Sequence, residues 1–493
     1  MTDLAQPDRL AKATAMRQAG ADPFPARGVA SQPIAGLIAA AGTAAAPGPA
    51  IGTRVTIAGR MLMPRDFGKL IFAPLVDRTG RVQVGLQRDA LQEWWPQRKW
   101  LDAGDLIGIN GEVGFTQKGE LTVWAKEVRL LAKSYAPPPE KWHGLADVEQ
   151  RYRRRYVDLW ATEGVMDVFV KRSKIVSGIR RFLEEQGYLE VETPTLHPIF
   201  GGATARPFVT HHNALGCDFY LRIAPELYLK RLIVGGLERV FEIARNFRNE
   251  GISTRHNPEF SMLELYEAQA DYRRMMELAE QMIERLALEV NGTTKVTFRG
   301  VEYDLKAPFA RVRYTELFRQ QNGCEFDDQP AVRARAAALG IEDGGNYWKL
   351  MNDVFEATCE KLLTGPVFCV DYPVQICPLA KANPQDPRMA ERFELFLGGM
   401  ELGNAFSELN DPAEQERRFE EQVASKDPEA PGQVDVDYVQ ALEYGMPPTG
   451  GLGIGIDRLV MVLTGQDTIR DVLLFPAMRP LGGEPAPATT PAP

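Results

Sequence analysis

Short runs in which apolar and polar residues alternate follow one another from about residue 54 to residue 131. Alternation with a period of two is the pattern of a half-buried strand, and turn residues such as Asp77 and Gly80 separate most of the runs. Five strands are predicted in this way, at 55–63, 69–76, 82–86, 106–113 and 121–130. Five short strands with turns between them are typical of a small Greek-key barrel of the OB type. We therefore predict a barrel domain at 51–135.

The longer second part of the chain mixes helical periodicity with alternating strands and lacks the βαβ rhythm of a parallel sheet. It predicts an α+β domain at 151–480, with an antiparallel sheet flanked by helices and a helical insertion at about 322–366. A short helical pattern and a stretch rich in Ala, Gly and Pro predict a helix and a loosely structured connector within 1–50. Proline-rich segments predict a linker at 136–150 and a disordered tail at 481–493.

The composition narrows the class of protein without deciding its function. The 493 residues are 44% hydrophobic and 25% charged, as in an ordinary globular protein. No apolar run approaches the roughly 20 residues of a membrane span, and the first residues lack a secretory signal pattern. Five scattered cysteines with no CxxC pair favour reduced thiols in the cytoplasm and argue against a zinc site. The net charge of −9 argues only weakly against nucleic-acid binding, because an acidic protein can carry a local basic face.

Two alternating stretches, 240–248 and 260–267, are joined by a polar loop and predict an antiparallel strand pair. One sheet face would then carry Glu242, Asn246, Arg248, Phe260, Met262, Glu264 and Tyr266. An arginine on such a face can bind a phosphate in bidentate fashion, and an aromatic ring can stack on a base. A salt-bridged sheet edge would have the same pattern, so periodicity alone leaves both interpretations open.

The pair Gly398-Gly399 predicts a tight hairpin in which Leu395 faces Leu402. Glu394 would then lie on the same face as Glu401. Two carboxylates with no basic residue between them favour a bridging cation, and Mg²⁺ with nucleotide phosphates is the usual case. Two solvated glutamates on an exposed hairpin are the alternative.

Three further polar or aromatic candidates on the same hairpin, Asn404, Phe406 and Glu408, have the opposite parity to Glu401. They line the same pocket only if the strand bulges, and Gly403 is the predicted place for the bulge.

Glycine alternates with apolar residues at 451–456, which predicts a strand with one bare face that a flat ligand can approach closely. A helix follows, and Arg458 in its first turn can stack on a base or hold a phosphate. Close packing of a helix across the sheet is the alternative. The sequence contains no GxxxxGK[ST] segment, which excludes a P-loop.

In this order, these pieces resemble the three motifs of the class II aminoacyl-tRNA synthetases. The first is a helix with Ile175, Ile179 and Phe182 on one face, followed by a strand that leads to Pro194; the other two contain Arg248 and Arg458. Within that class, several runs are similar to lysyl-tRNA synthetases: GGA at 201–203 followed by PF at 207–208, IAPELY at 223–228, FRNEG at 247–251, RHNPEF at 255–260 and NAFSELN at 404–410. The resemblance extends from about residue 52 to residue 480.

The resemblance implies an enzyme that activates L-lysine with ATP and transfers it to the 3′-terminal adenosine of tRNA(Lys). It implies catalytic roles for Arg248, His256 and Arg458. ATP would be bound by Arg248, Glu250, His256, Asn257, Phe260 and Arg458. Lysine would be bound by Gly202, Glu226, Glu264, Tyr266, Asn404 and Glu408. Mg²⁺ would accompany ATP and be held by Glu394 and Glu401. The barrel would bind the anticodon through Arg65, Phe72, Gln83 and Glu120, although Phe72 as part of the barrel core is an alternative.

The resemblance also implies a cytoplasmic homodimer with no membrane contact, in which the helix with Ile175, Ile179 and Phe182 and the strand to Pro194 would supply the interface. Aspartyl and asparaginyl synthetases join the same two kinds of domain. An acidic substrate, however, would need basic groups where Glu264 and Glu408 stand. A ligase that aminoacylates a protein would usually lack the barrel, and a non-catalytic nucleic-acid-binding module would not need this set of arginines and glutamates.

Overall fold

The structure is a computed structural model, and it describes residues 4–42, 53–139, 144–425 and 429–481. The chain forms two compact units, Met1–Met166 and Asp167–Pro493. In the described part of the chain, no helix is both long enough and apolar enough to cross a membrane. The predicted disordered tail lies almost entirely outside the described residues, as does the end of the predicted connector.

The first unit is a closed β-barrel with short helices. Its strands are β1 (Arg54–Met61), β2 (Arg65–Asp66), β3 (Leu70–Val76), β4 (Arg81–Gln87), β5 (Leu106–Phe115) and β6 (Leu121–Ala132). They pair in the order β1-β5-β6-β4-β3-β2, and pairing of β1 with β3 closes the barrel. Side chains alternate along the strands, so that Ile71, Ala73 and Leu75 point into the core. The predicted five-stranded barrel is confirmed, and β2 is a two-residue addition.

The helices of this unit are α1 (Pro7–Gln18), α2 (Ile34–Ala41), α3 (Val148–Arg153) and α4 (Arg155–Ala161), with a 3₁₀ helix at Trp95–Trp100. Helix α2 lies where the sequence predicts only a loose connector. Ile34 and Leu37 are buried against the barrel, and the side chains of Asp77 and Thr79 accept hydrogen bonds from the first N–H groups of the helix. Contacts with the barrel therefore stabilise a helix that the Ala- and Gly-rich sequence of this segment does not predict.

The second unit has thirteen strands in its described residues, and eight of them form one large sheet. Its strands are β7 (Leu189–Glu190), β8 (Leu196–His197), β9 (Val209–His212), β10 (Cys217–Leu221), β11 (Arg239–Phe247), β12 (Glu259–Ala268), β13 (Lys295–Phe298), β14 (Val301–Asp304), β15 (Ala310–Arg313), β16 (Val367–Pro373), β17 (Met389–Leu397), β18 (Met400–Ser407) and β19 (Thr449–Gly455). The large sheet has the order β15-β16-β17-β18-β19-β12-β11-β7. Only its two outermost pairs are parallel, so the predicted antiparallel sheet is confirmed.

The helices of the second unit are α5 (Val165–Glu185), α6 (Glu226–Val234), α7 (Tyr272–Asn291), α8 (Tyr314–Asn322), α9 (Gln329–Leu339), α10 (Tyr347–Thr358), α11 (Pro412–Ala424), α12 (Val436–Glu443), α13 (Ile456–Thr464) and α14 (Ile469–Val472), with 3₁₀ turns at Glu360–Leu362 and Val374–Ile376. Helices α5, α7 and α13 bury one face of the sheet in the main core. Helices α8, α9 and α10 follow β15 and share a second core with β16. The domain bounds predicted from the sequence stay a prediction.

The apolar face of α5 packs against the chain's own core. Ile175 and Ile179 have no exposed surface and Phe182 is 5% exposed. The sheet of the same chain covers these three side chains, so they are not available to a partner. The wider prediction of a dimer interface on this helix and the strand to Pro194 stays a prediction. The exposed apolar residues near this segment are Leu189 and Leu196.

Candidate active site

The polar face of the sheet is formed by four neighbouring strands in register. In β11 and β12, Glu242 lies opposite Glu264 and Asn246 lies opposite Phe260, as the period-two pattern predicts. The intervening Leu263 and Leu265 point the other way, into the core under α7 and α13. The faces of the two strands are therefore set by the apolar residues, which leave the acidic and aromatic ones on the open side.

The glycines of β19 form a bare strip between the walls of this face. Gly451 pairs with Tyr266 on one side and with Phe406 on the other, and Gly453 pairs with Glu264 and Asn404. A Cβ atom on Gly451 would collide with the Oε1 atom of Glu408 and with the ring of Tyr266. The strip is the floor of a cavity of about 490 Å³ that every predicted ATP- and lysine-binding residue lines.

The inner end of the cavity is acidic. Glu226 is the first residue of α6, Glu264 and Tyr266 come from β12, and Glu408 follows β18. All four side chains are buried, with exposed fractions of 7%, 5%, 4% and 1%. Gly202 closes this end with a positive φ of 85°, and a Cβ atom there would lie 3.0 Å from the Cβ of Glu226. The structure thus brings together the residues predicted to bind lysine.

The three carboxylates at this end differ in their partners. Glu226 and Glu408 both contact the ammonium group of Lys230, which the sequence analysis did not single out. Among the described residues, the hydrogen-bond partner of Glu264 is the hydroxyl of Tyr266, 3.4 Å from its Oε2. Burial, followed by the nearby charge of Glu226, raises the pKa of Glu264 to about 8, although Arg248 opposes the shift. This carboxyl group is therefore mostly protonated at neutral pH until a cation approaches it.

Arg248 lies just past the end of β11, at the other end of the cavity. Its guanidinium stands 5.1 Å above the centre of the Phe260 ring. Its buried Nε has no hydrogen-bond partner among the described residues. A buried, unpartnered donor on a positive group that lines a cavity is suited to an anionic ligand.

Arg458 lies in the first turn of α13, where the sequence predicts it. Its Nη1 donates to the carbonyl of Glu401 at 2.7 Å and lies 3.2 Å from the Glu401 carboxylate. Its Nη2 is 3.2 Å from Nε2 of His256. Arginine can only donate, so Nε2 of His256 accepts and the ring proton is on Nδ1, 3.0 Å from the hydroxyl of Ser253. Burial and then Arg458 lower the pKa of His256, which leaves a neutral imidazole that orients Arg458.

Two of the residues predicted to bind ATP, Glu250 and Asn257, either lie at the edge of the cavity or have their side chain engaged by the main chain. Glu250 lines the mouth of the cavity and is exposed. Asn257 is buried, and its amide is engaged by the main chain: Nδ2 donates to the carbonyl of Glu259 at 2.6 Å, and Oδ1 accepts from the N–H of Ala477 at 3.0 Å. Asn257 therefore fixes the loop between β11 and β12.

The hairpin of β17 and β18 has the predicted turn but a different register. Leu395 pairs with Gly403, and the pairing shifts between Leu395 and Phe396, so Leu402 is the extra residue of a bulge. The prediction that Leu395 faces Leu402 is wrong by one residue. The bulge itself was predicted, and it brings Asn404 opposite Glu394 and onto the face of Glu401.

The two hairpin carboxylates have basic partners, contrary to the prediction. Glu394 is 2.5 Å from Arg392 and accepts a hydrogen bond from the hydroxyl of Tyr372 at 2.8 Å, while Glu401 pairs with Arg458. Arg392 is on the same strand as Glu394, two residues away, and strand periodicity places it on the same face. The two carboxylates are therefore not unpaired, and a missing basic partner is no reason to expect a cation between them.

Negative charge nevertheless exceeds positive charge around the hairpin. Burial, followed by Glu394, Glu356 and Glu401, raises the pKa of Glu360 to about 8. Burial also raises the pKa of Glu394 to about 7, against the effect of Arg392 and with a contribution from Glu401. Carboxylate oxygens with excess negative charge fit a hard divalent cation. No three His, Cys, Asp or Glu side chains of the described residues form a metal cage, so a cation would also need oxygens from a substrate.

The four predicted anticodon residues lie on the outside of the barrel. Phe72 is partly exposed and points away from the core, with its ring 5.8 Å from that of Trp124 and 6.3 Å from that of Phe67. The alternative in which Phe72 belongs to the barrel core is therefore wrong. Arg65 donates to the amide oxygen of Gln83 at 2.7 Å.

Gln83 and Glu120 complete this barrel surface. The amide of Gln83 is buried and donates to the hydroxyl of Thr122 at 2.9 Å, and Glu120 is exposed 4.0 Å from Arg65. Trp124, which was not predicted, packs beside Phe72. Its ring leaves no room for a side chain at Gly85, where a Cβ atom would be 2.7 Å from it. Aromatic rings beside hydrogen-bonding side chains suit stacked bases.

Comparison with known proteins gives counterparts for both units. A family model described as tRNA synthetases class II (D, K and N) matches residues 147–479, and one described as an OB-fold nucleic acid binding domain matches residues 55–131. The chain is 54% identical to the lysine–tRNA ligase of Moorella thermoacetica over 441 residues, which are 87% of this chain and 89% of that protein. It is 54% identical to that of Xanthomonas oryzae, over 87% of each chain, and 48% identical to that of Magnetococcus marinus, over 96% of each chain.

Proposed function

The chain belongs to the lysine–tRNA ligases of the class II tRNA synthetases, and from this we propose that it activates L-lysine with ATP and transfers it to the 3′-terminal adenosine of tRNA(Lys). The observation that carries the proposal is the acidic inner end of the cavity, with Glu226, Glu264 and Glu408 around Tyr266. A buried side-chain ammonium group needs carboxylates and a hydroxyl to replace its water. The carboxylate of an aspartate substrate would be repelled there.

Lysine lies with its side chain along the glycine strip. Its ε-ammonium group is bound by Glu264, Tyr266 and Glu408, and its α-ammonium group by Glu226 and the backbone at Gly202. Its carboxylate is directed to Arg248 and Asn404. The charges along the cavity support this orientation, since buried carboxylates surround Tyr266 at one end and the guanidinium of Arg248, whose Nε has no hydrogen-bond partner among the described residues, lies at the other.

ATP occupies the end of the cavity that contains Arg248 and Arg458. Phe260 stacks beneath the adenine, Glu250 contacts its edge, and Arg458, oriented by His256, binds the outer phosphates. The Arg248 guanidinium holds the α-phosphate next to the lysine carboxylate. The contact of Arg458 with His256 and the stacking of Arg248 on Phe260 support these roles, because each fixes the direction of a donor group before the substrate binds.

The reaction needs no protein nucleophile. A carboxylate oxygen of lysine attacks the α-phosphorus in line, the bond to the β-phosphate oxygen breaks, and pyrophosphate leaves. The enzyme contributes orientation and positive charge. Glu394 and Glu401 would hold Mg²⁺, which would neutralise charge on the phosphates. A ribose hydroxyl of the terminal adenosine of tRNA then attacks the carbonyl carbon of the adenylate and releases AMP.

The barrel binds the anticodon region of the tRNA through Arg65, Phe72, Gln83 and Glu120. We also propose that the enzyme is a cytoplasmic homodimer. Five free cysteines, three of them buried, support a reducing compartment. The exposed apolar side chains of Leu189, Leu196 and Val209 support a partner surface in the second unit. A monomeric mass in sedimentation of the fully active enzyme would contradict the dimer.

ATP–pyrophosphate exchange with each amino acid in turn tests the proposed function. Lysine should drive exchange without tRNA, and aspartate and asparagine should not. Exchange that depends on aspartate or asparagine, with none for lysine, would overturn the proposal.

A further inference from the structure

A buried lysine lies behind the acidic wall of the cavity. Lys230, on α6, has no exposed surface, although lysine side chains are almost never fully buried unless they are paired. Its Nζ is 2.5 Å from Oε1 of Glu226 and also contacts Oε2 of Glu408. Both glutamates line the cavity, whereas Lys230 does not. The ammonium group therefore reaches the two carboxylates from the side away from the cavity.

The surroundings of Lys230 leave these carboxylates as its counter-charges. The ammonium group is 5.3 Å from the centre of the Phe406 ring and 6.0 Å from that of the Tyr266 ring. Burial alone lowers the pKa of Lys230, but Glu226 and Glu408 raise it above its ordinary value. Lys230 is therefore a charged group in a site without water contact, and its position is tied to those of the two carboxylates.

The net charge of the ionised side chains at this end balances the two ammonium groups of free lysine only when Lys230 is included. Glu226, Glu264 and Glu408 provide three negative charges when they are ionised, and the ammonium group of Lys230 offsets one of them. Free lysine brings two ammonium groups to the same end, while its carboxylate is directed elsewhere. Three buried carboxylates without an internal cation would take up protons or repel one another, and both changes weaken the binding of a dication.

We propose that Lys230 is a positioning residue for lysine recognition, which holds Glu226 and Glu408 in place from behind and offsets one of the three negative charges that the pocket carries when lysine is bound. The inference rests on the proposed activation of lysine. Lys230 acts through the two carboxylates and does not touch the substrate.

Lys230→Met tests the proposal, because methionine keeps an unbranched side chain and removes the charge. In ATP–pyrophosphate exchange, we expect the KM for lysine to rise at least about tenfold, since a hydrogen bond to a charged group is weakened. The KM for ATP and the kcat at saturating lysine should stay within about twofold to threefold of wild type. An unchanged KM for lysine, or an equal rise in the KM for ATP, would overturn the proposal.

The first unit offers a matched control. Lys133 also has no exposed side-chain surface and also contacts two carboxylates, Asp102 and Asp105. Lys133→Met should lower the melting temperature, as Lys230→Met does, and leave the KM for lysine unchanged. If Lys133→Met raised the KM for lysine as much as Lys230→Met, the effect would reflect loss of a buried charge in general, and the proposal would fail.

A double-mutant cycle with Glu408→Gln identifies the route of the effect. Because Lys230 acts partly through Glu408, we expect the double variant to raise the KM for lysine by less than the product of the two single effects. If the rise in the KM for lysine of the double variant equals the product of the two single rises, the proposal is overturned. If Lys230→Met alone does not fold, the double variant should fold, because it leaves one fewer buried charge uncompensated; failure of both to fold would also overturn it. Wild-type enzyme that lacks lysine-dependent exchange would instead refute the proposed function itself.

Discussion

Glu264 should make lysine binding depend on pH within the neutral range. In the empty cavity its pKa is raised to about 8, chiefly by burial and by Glu226, so the carboxyl group is mostly protonated at pH 7. The ε-ammonium group of bound lysine favours the ionised form, as a cation close to a carboxylate does. Lysine binding therefore displaces a proton, and affinity should increase as the pH rises towards and through 8, then level off.

The size of the effect follows from the pKa. If the pKa of Glu264 falls below the range studied when lysine binds, affinity should increase roughly 25-fold between pH 6.5 and 8.5. Calorimetric titration with lysine alone, without ATP or Mg²⁺, keeps Glu394 and the phosphates out of the measurement. Titrations at pH 7 in buffers of different ionisation enthalpy should show release of close to one proton.

Glu264→Gln is the control for this measurement. Its affinity for lysine should be lower, and the ratio of wild-type to variant affinity isolates Glu264 from titration of the free amino acid. Burial and Arg458 lower the pKa of His256 and so disfavour its charged form, and the comparison with the Glu264→Gln variant, which keeps His256, cancels what remains of its titration. A ratio that stays flat from pH 6.5 to 8.5, with no proton released, would refute the reasoning about the buried carboxyl group.

Three further variants test the other parts of the site. Glu408→Gln should raise the KM for lysine by about one to two orders of magnitude, since it removes a charged acceptor, and the KM for ATP much less; unchanged lysine kinetics would move Glu408 out of the pocket. Replacing both Glu394 and Glu401 by Gln should shift the Mg²⁺ dependence of exchange to higher concentrations, and a wild-type Mg²⁺ titration would contradict a metal site on the hairpin. Phe72→Ala should weaken tRNA charging by about one to two orders of magnitude through loss of one stacked base, while exchange without tRNA stays near wild type. Equal loss in both reactions together with a lower melting temperature would make the ring structural.

Local periodicity predicts those strands in which the apolar residues alternate regularly with polar ones, because the apolar side chains are then the buried ones. The faces of β11 and β12 follow from period two because Leu263 and Leu265 are apolar and their neighbours are not. Helix α2 was missed, since its two buried side chains depend on contacts with a barrel that is distant in sequence. The face of α5 was assigned correctly as apolar, but a pattern shows that a face is buried and not what covers it; here the sheet of the same chain covers it.

The charge partners at the site were harder to predict than the site itself. Glu226 and Lys230 are four residues apart on a helix, a spacing that usually indicates a surface ion pair of little energetic consequence. Only the tertiary structure shows that the pair is buried and shared with Glu408. The basic partner of Glu394 is even closer in sequence, at Arg392, and strand periodicity alone places the two side chains on one face.

The chemistry of the pocket is protected by the core on the opposite side of the same strands. A shift of β12 by one residue would turn Glu264 and Tyr266 towards α7 and α13 and bring Leu263 and Leu265 to the cavity, because successive side chains point to opposite faces. That exchange would place an unpaired carboxylate in an apolar core and expose two leucines to the cavity, and each change is strongly unfavourable. The glycine strip adds a second constraint, since only a glycine at position 451 leaves room for the side chains of Tyr266 and Glu408. The register that stabilises the fold therefore also fixes the acidic pocket.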